Sequence, residues 1–374
     1  MKKQIVFLLM VLCAIFMATA AYASSGTCGE NLTWTLENGT LTISGTGDMM
    51  DRTVYDWWGT EANSIRRIVV EEGCTSIGRT AFTSTKAEEV TLPSTLKSIH
   101  DSAFSKCPNL AHIVIPEGVT YIAPDAFYGA AIYEMTLPST LRVPEQPDNY
   151  WAKLGDAVGD TLEAIHIAPE HPDVCSIDGV VFSADQTRLF YYPDGRQGYL
   201  YEIPQGVTAI EDFAFSRCGQ LKQVNFPEGL KSIGREAFSF TCIVSLELPE
   251  GLELIEECAF ADSNIPFITL PSTLRYIENA AFGGNPVLTE ITIPANVIYI
   301  GAFAFGSCDR LTSATVEGMK VYFEIERFSD GRVRVCFDQD NRNLVIYGHD
   351  GSTIQQFAAE YDLAFQVIGS EEIK

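Results

Sequence analysis

Positive charge is what this 374-residue sequence lacks most: 25 Lys and Arg stand against 49 Asp and Glu, a formal net charge of −24. A nucleic-acid-binding protein needs those cations to neutralise phosphate and release counterions, so nucleic acid is excluded as a partner. Docking on anionic lipid is excluded with it. Histidine is scarce too. His100, His112, His166, His171 and His349 are scattered, no cysteine ladder turns His166 and His171 into a metal site, and each reads as a surface side chain. No H-E-x-x-H, G-x-S-x-G, phosphate-loop or dinucleotide fingerprint occurs. Gly45-Thr46-Gly47-Asp48 has no following glycine and carries an acid that would repel phosphate. Asp338-Gln339-Asp340-Asn341 opens like a calcium loop but has Asn343 and His349 where glycine and glutamate are needed. No catalytic, cofactor or metal site is assigned, and the chain reads as non-enzymatic. Apolar character is not lacking: 46% of residues are hydrophobic, too many for a disordered acidic chain.

Long apolar runs are also missing after the first residues. Ile5 to Ala18 spans 14 residues, short of the roughly 20 that cross a bilayer. Preceded by Lys2 and Lys3 and followed by Ala21-Tyr22-Ala23, it predicts a secretory signal over 1–23, cleaved before Ser24. Cys13 lies inside the run after Leu12, which argues against a lipoprotein signal. The remainder would hold 23 basic and 49 acidic residues, a net of −26, with no transmembrane segment. A secreted or cell-surface location is expected.

The rest of the chain is a repeat. The dipeptide Ala-Phe recurs, ending at Phe82, Phe104, Phe127, Phe215, Phe238, Phe260, Phe282 and Phe305, at spacings of 22, 23, 88, 23, 22, 22 and 23 residues. Each copy closes the pattern L-x-x-I-x-I-P-x-x-L-x-x-I-x-x-x-A-F, as in Leu110, Ile113, Ile115, Val119, Ile122, Ala126 and Phe127. Two apolar positions two apart are strand periodicity with one face inward. The proline that follows (Pro93, Pro116, Pro227, Pro249 and others) has no N–H and ends the strand. The later Leu, Ile and Ala-Phe return to the same core along a short turn or an irregular helical segment. One such unit cannot bury both its sides and stacked units can, so the pattern predicts a solenoid with one short parallel strand per repeat.

The unit matches the leucine-rich repeat, and more closely resembles the BspA-like leucine-rich-repeat surface proteins of bacteria. Leu-Pro-Ser-Thr-Leu-Lys-Ser-Ile (92–99), Ala-Phe-Ser-Lys-Cys-Pro-Asn-Leu (103–110) and Phe-Pro-Glu-Gly-Leu-Lys-Ser-Ile-Gly (226–234) carry the resemblance, which runs over about 65–320. It implies a β-rich, curved right-handed coil at the cell surface or outside the cell, and a role in adhesion and protein–protein contact.

Three stretches break the repeat and set the expected organisation. Residues 24–64 hold Leu32, Trp34 and Leu36, then Asn38-Gly39, then Leu41 and Ile43, which predicts a β-hairpin cap, with Trp57 and Trp58 in its core. The solenoid follows over 65–320. Residues 321–374 read as a C-terminal cap of strands at 332–337 and 343–347 and an amphipathic helix from Ser352, its N-cap, to Leu363. The 88-residue spacing equals four repeats. It reads as degenerate repeats plus a projecting hairpin at 142–200, built from Ser176–Phe182 and Arg188–Tyr192.

Nine cysteines remain after Cys13, an odd number that cannot all pair internally. Cys107, Cys218 and Cys308 share one repeat position, three residues after the phenylalanine, as a small buried apolar side chain would. Pairing of Cys28 with Cys74 or Cys218 with Cys242 stays open; mostly buried free thiols are expected.

A partner would meet the outward positions of L-x-x-I-x-I. The residue before the first Ile is Arg67, Glu89, His112, Glu134, Gln223, Ser245, Phe267 or Glu290 along the chain. The residue between the two is Val69, Thr91, Val114, Thr136, His166, Asn225, Glu247, Thr269, Thr292 or Thr315. Threonine suits any pleated surface; Phe267, His166 and the acids point to recognition of an extracellular protein, an acidic face favouring a basic one. Tyr150, Trp151, Tyr191 and Tyr192 concentrate aromatics in the interruption. They either form an exposed platform, which would suit a glycan, or pack the hairpin onto the solenoid.

Overall fold

The computed structural model describes residues 24–52, 59–143, 150–339 and 341–369. The signal segment expected at 1–23, Trp57 and Trp58 lie outside these residues. Contacts divide the chain into two compact units, 1–131 and 132–374.

The first unit begins with the hairpin that the Asn-Gly pair predicts. Asn38 and Gly39 both have positive φ, 51° and 78°, which lets Asn31–Glu37 turn into Thr40–Asp48 with Glu37 opposite Thr40. Leu32, Trp34, Leu36, Leu41 and Ile43 face inward. Thr40–Asp48 is long enough to seed two parallel ladders: its first half pairs with Arg67–Val70, and Gly47 and Asp48 pair with Cys74–Ile77. Later repeats add rungs to them. Glu89–Thr91 extends the first ladder; Ser98–Ile99 and Tyr121–Ile122 extend the second.

The expected single strand per repeat is therefore corrected to two. Proline ends the first strand and closes a turn, as where the Leu96 N–H donates to Pro93 at 3.2 Å. The β-branched isoleucine beyond it then meets the same conformation in the adjacent repeat, and a second, two-residue strand forms. The return is not helical either. Thr80 and Ser102, just before Ala-Phe, have φ of 54° and 55°. This left-handed residue turns the chain so that the Phe82 N–H donates to Ala103 at 2.7 Å and the Phe104 N–H to Ala126 at 2.8 Å.

In the second unit the first ladder is broken into short sheets. Glu134–Leu137 pairs with Ala164–Ile167, Leu200–Glu202 with Gln223–Asn225, and Leu246–Glu247 with Ile268–Thr269. Glu290–Ile293, Ser313–Val316, Val345–Gly348 and Ala364–Val367 form a four-stranded parallel sheet. The last two strands thus continue the ladder within the C-terminal segment. The second ladder runs without a break over nine strands, from Val174–Ile177 to Tyr322–Phe323.

Within each unit the phenylalanines of the repeat stack on one another under the ladders, as Phe82, Phe104 and Phe127 do in the first. In the second unit Tyr192, Phe215, Phe238, Phe260, Phe282, Phe305 and Phe337 succeed one another with ring centroids 4.7–5.5 Å apart. All are buried. Helix Thr353–Glu360 covers the core with Ile354, Phe357 and Ala358. Ser352 stands at its N-cap position, but its hydroxyl makes no capping bond and is buried without a partner. Gln355 instead accepts the Gly351 N–H at 2.7 Å. His171 is likewise not a surface residue. Its Nδ1 accepts from the Asp173 and Val174 N–H groups at 3.2 and 3.3 Å, so Nε2 carries the proton and donates to Leu141 O at 2.9 Å.

Candidate binding surface

Alternation along the first-ladder strands buries or half-buries the apolar positions and turns the intervening side chains outward. Arg67, Glu89, Thr91 and His112 are exposed in the first unit. Arg67 and Glu89 stand in register, and Arg67 Nε donates to the Glu89 carboxylate at 2.7 Å. In the second unit Glu134, His166, Asn225, Glu247, Phe267, Thr269, Glu290 and Thr292 are exposed, and Thr136 is half-buried. Thr136 lies opposite His166, whose Nε2 is 3.9 Å from the Glu134 carboxylate. Asn225 donates to Glu202 at 3.4 Å. Glu247 and Thr269 are in-register neighbours, so an acid and a hydroxyl stand side by side.

Apolar side chains share this face. Phe267 is 63% exposed, Tyr199 69% and Val244 57%. The Lys222 N–H donates to Tyr199 and the Val244 N–H to Lys222, so these rungs follow one another along the ladder. Val244 escaped the sequence reading because it precedes the strand, outside the positions whose direction the period assigns.

The aromatic platform is corrected. Tyr150, Trp151, Tyr191 and Tyr192 are all buried, and none can be offered to a glycan. Tyr150 and Trp151 open helix Tyr150–Val158, whose large buried side chains, 150, 151, 154 and 158, have helical spacing. That spacing was the signal available in the sequence. The helix packs on strand Arg188–Tyr191 at Gly155, where a Cβ would lie 1.9 Å from Tyr191 Oη. The hairpin does not project. Val174–Ile177, Val180–Ser183 and Arg188–Tyr191 are antiparallel neighbours, and the last pairs in parallel with Ala209–Ile210 and so begins the second ladder. Burial pushes the Tyr192 hydroxyl up to about 12. Beside it the Asp194 carboxyl, which accepts from Tyr191 Oη at 3.3 Å, is pushed up to about 6, chiefly by burial.

The nine cysteines among the described residues are free. Burial raises the Cys28 and Cys74 thiols to about 12 and about 11, and each of these two is also held up by nearby negative charge. At the repeat position they share, Cys107, Cys218 and Cys308 do more than fill space. Their thiols donate to the carbonyls of Phe82, Tyr192 and Phe282, one repeat back, at 3.3, 3.8 and 3.5 Å. Ser263 and Asn285 occupy the same position and donate to Phe238 and Phe260 at 2.7 and 2.9 Å. The described residues contain no His, Cys, Asp and Glu group able to hold a metal ion, and no helix long and apolar enough to cross a membrane.

Two parallel ladders and a stacked Ala-Phe turn define a leucine-rich-repeat solenoid. The model of the BspA type leucine-rich repeat region matches six copies over residues 60–146 and 200–312, and the chain belongs to that family. Among solved structures, the pneumococcal vaccine antigen PcpA is similar at 16% identity and TM-score 0.51, over 93% of this chain and 99% of that one. A leucine-rich repeat protein from Eubacterium ventriosum matches at 20% identity and TM-score 0.46, over 88% of this chain and 79% of that one. A leucine rich cell surface protein from Faecalibacterium prausnitzii matches at 20% identity and TM-score 0.43, over 91% and 98%. None of the curated proteins matches the chain.

Proposed function

We propose that the protein is an exported, non-enzymatic interaction scaffold that adheres to another extracellular protein through the outward face of its first ladder. The observation that carries this reading is Phe267, 63% exposed in a row otherwise polar, with Glu247 and Glu290 on neighbouring strands. An exposed aromatic ring rimmed by like charges is the composition of a protein-binding anchor. The acids favour a partner with a basic contact surface and make association salt-sensitive. The lysines, apolar run and small residues at the amino terminus support export.

Binding of the chain to an array of extracellular-matrix proteins and glycans, at low and physiological salt, tests the reading. A salt-sensitive protein ligand is expected. Phe267→Ala should weaken it about tenfold or more, and reversing Glu89, Glu134 and Glu247 to Lys should slow association. An unchanged on-rate at low salt would remove this face from the proposal.

A further inference from the structure

The second ladder carries a surface of its own. Three consecutive rungs place tyrosine just before the buried core residue. Tyr276 is in register with Tyr299, and Tyr299 with Tyr322. The Tyr299 and Tyr322 rings stack with centroids 5.8 Å apart and planes 18° from parallel. Tyr322 is 64% exposed and Tyr276 38%, while Tyr299 between them is half-buried. Two residues further along stand Glu278 and Glu324 on the Tyr276 and Tyr322 rungs, and Glu256 on the preceding rung, where Leu254 is in register with Tyr276. Tyr299 Oη donates to Glu324, which orients that carboxylate beside the rings.

Glu256 and Glu278 have no ion-pair partner within 4.0 Å among the described residues. They line an open hollow of about 500 Å³ together with Asp212, Glu257, Arg235 and Leu254. Its one cation, Arg235, is engaged by Asp212 at 3.3 Å and lies over the Phe213 ring. Glu211, further along the column, is neutralised by Arg188 at 2.8 Å. Burial raises both free carboxyls, and repulsion from neighbouring carboxylates raises them further. Like charges held at close quarters are relieved by a bound cation and not by a neutral ligand.

We propose that this tyrosine–carboxylate ladder over residues 254–324 binds an extended, arginine- or lysine-rich polypeptide segment, its cationic groups lying on the tyrosine rings and facing the glutamates. Charge complementarity selects this occupant. The chain carries −24 overall, the hollow holds four carboxylates against one lining arginine that Asp212 engages, and a tyrosine face is a second, independent attractor for a guanidinium or ammonium. A sugar would use the rings but has no use for the unpaired acids. The surface differs from the Phe267 face, so either can fail alone.

The test is fluorescence anisotropy of a labelled, alternating Arg-Gly octapeptide with the full chain, against the same peptide carrying citrulline for arginine. Binding that weakens with salt and is lost with citrulline is expected. Tyr322→Ala should weaken it about two- to fivefold, and the double variant Glu256→Gln/Glu278→Gln at least as much, while Phe267→Ala leaves it unchanged. The Gln variants remove repulsion, so their folding is not at risk; thermal melting checks it. No binding by the folded wild type at low salt, wild-type affinity in both ladder variants, or equal competition by a neutral oligosaccharide would overturn the proposal.

Discussion

Three residues past the core phenylalanine, at Cys107, Cys218, Ser263, Asn285 and Cys308, one side chain ties its repeat to the one before. Asn285 shows the full version: Nδ2 donates to the Phe260 and Phe282 carbonyls and Oδ1 accepts the Ile265 N–H, all at 2.9 Å and all buried. Cysteine can stand here because its S–H is a weak donor of the right length. Sequence spacing alone made it look like a small apolar filler, since it could not reveal a carbonyl 26 residues upstream in Phe282. Asn285→Ala is expected to cost about 1–3 kcal/mol in urea denaturation by stranding buried backbone groups. Cys308→Ser should be near neutral, because Ser263 already makes the same bond. A large loss in Cys308→Ser with none in Asn285→Ala would refute the ladder.

At the scale of elements, the two ladders and the phenylalanine column make each coil depend on its immediate neighbours. Phe238 lies 4.7 Å from Phe215 and 5.1 Å from Phe260, nearly parallel to both. Phe238→Ala should therefore cost about 3–5 kcal/mol. Contacts in a solenoid are nearest-neighbour, so the damage should be local. Hydrogen exchange is expected to accelerate over 209–282 and to stay native by the Ser313–Val316 strand; uniform acceleration would mean that the coils are coupled over a longer range. The repeat's existence and its inward positions were legible because period and burial are the same fact here. The second strand was not, since two residues are too few to show a period.

For the whole molecule, charge decides how stability responds to pH. Burial raises Asp194 to about 6 and also lifts Asp156, Glu236, Glu256 and Glu278. Between its unfolded and folded pKa each of these acids binds a proton more tightly in the folded chain, so stability falls as pH rises through that window. Glu72, Glu250, Asp185 and Asp330 behave oppositely: backbone and hydroxyl donors lower them, and the stability they lend is lost as pH falls below the ordinary carboxylate range. The melting temperature should thus climb on acidification from pH ~7.5 to ~5 and drop below pH ~4. A monotonic fall from neutrality would show that the raised acids do not govern this range.

The sequence by itself determined the repeating unit, the BspA-like resemblance, the Asn-Gly hairpin and the outward direction of Arg67, Glu89, Glu134, Glu247, Phe267 and their neighbours. All of these follow from local spacing, because a strand's two faces are set by its own period. Tertiary structure alone decided what depends on residues far apart in the chain. It buried Tyr150, Trp151, Tyr191 and Tyr192 by folding the helix and hairpin into the stack, and it made Cys107 and Cys308 donors. It also assembled Tyr276, Tyr299 and Tyr322 into one ladder, which no single repeat contains: a stacked surface takes one residue from each coil, and only register brings them together.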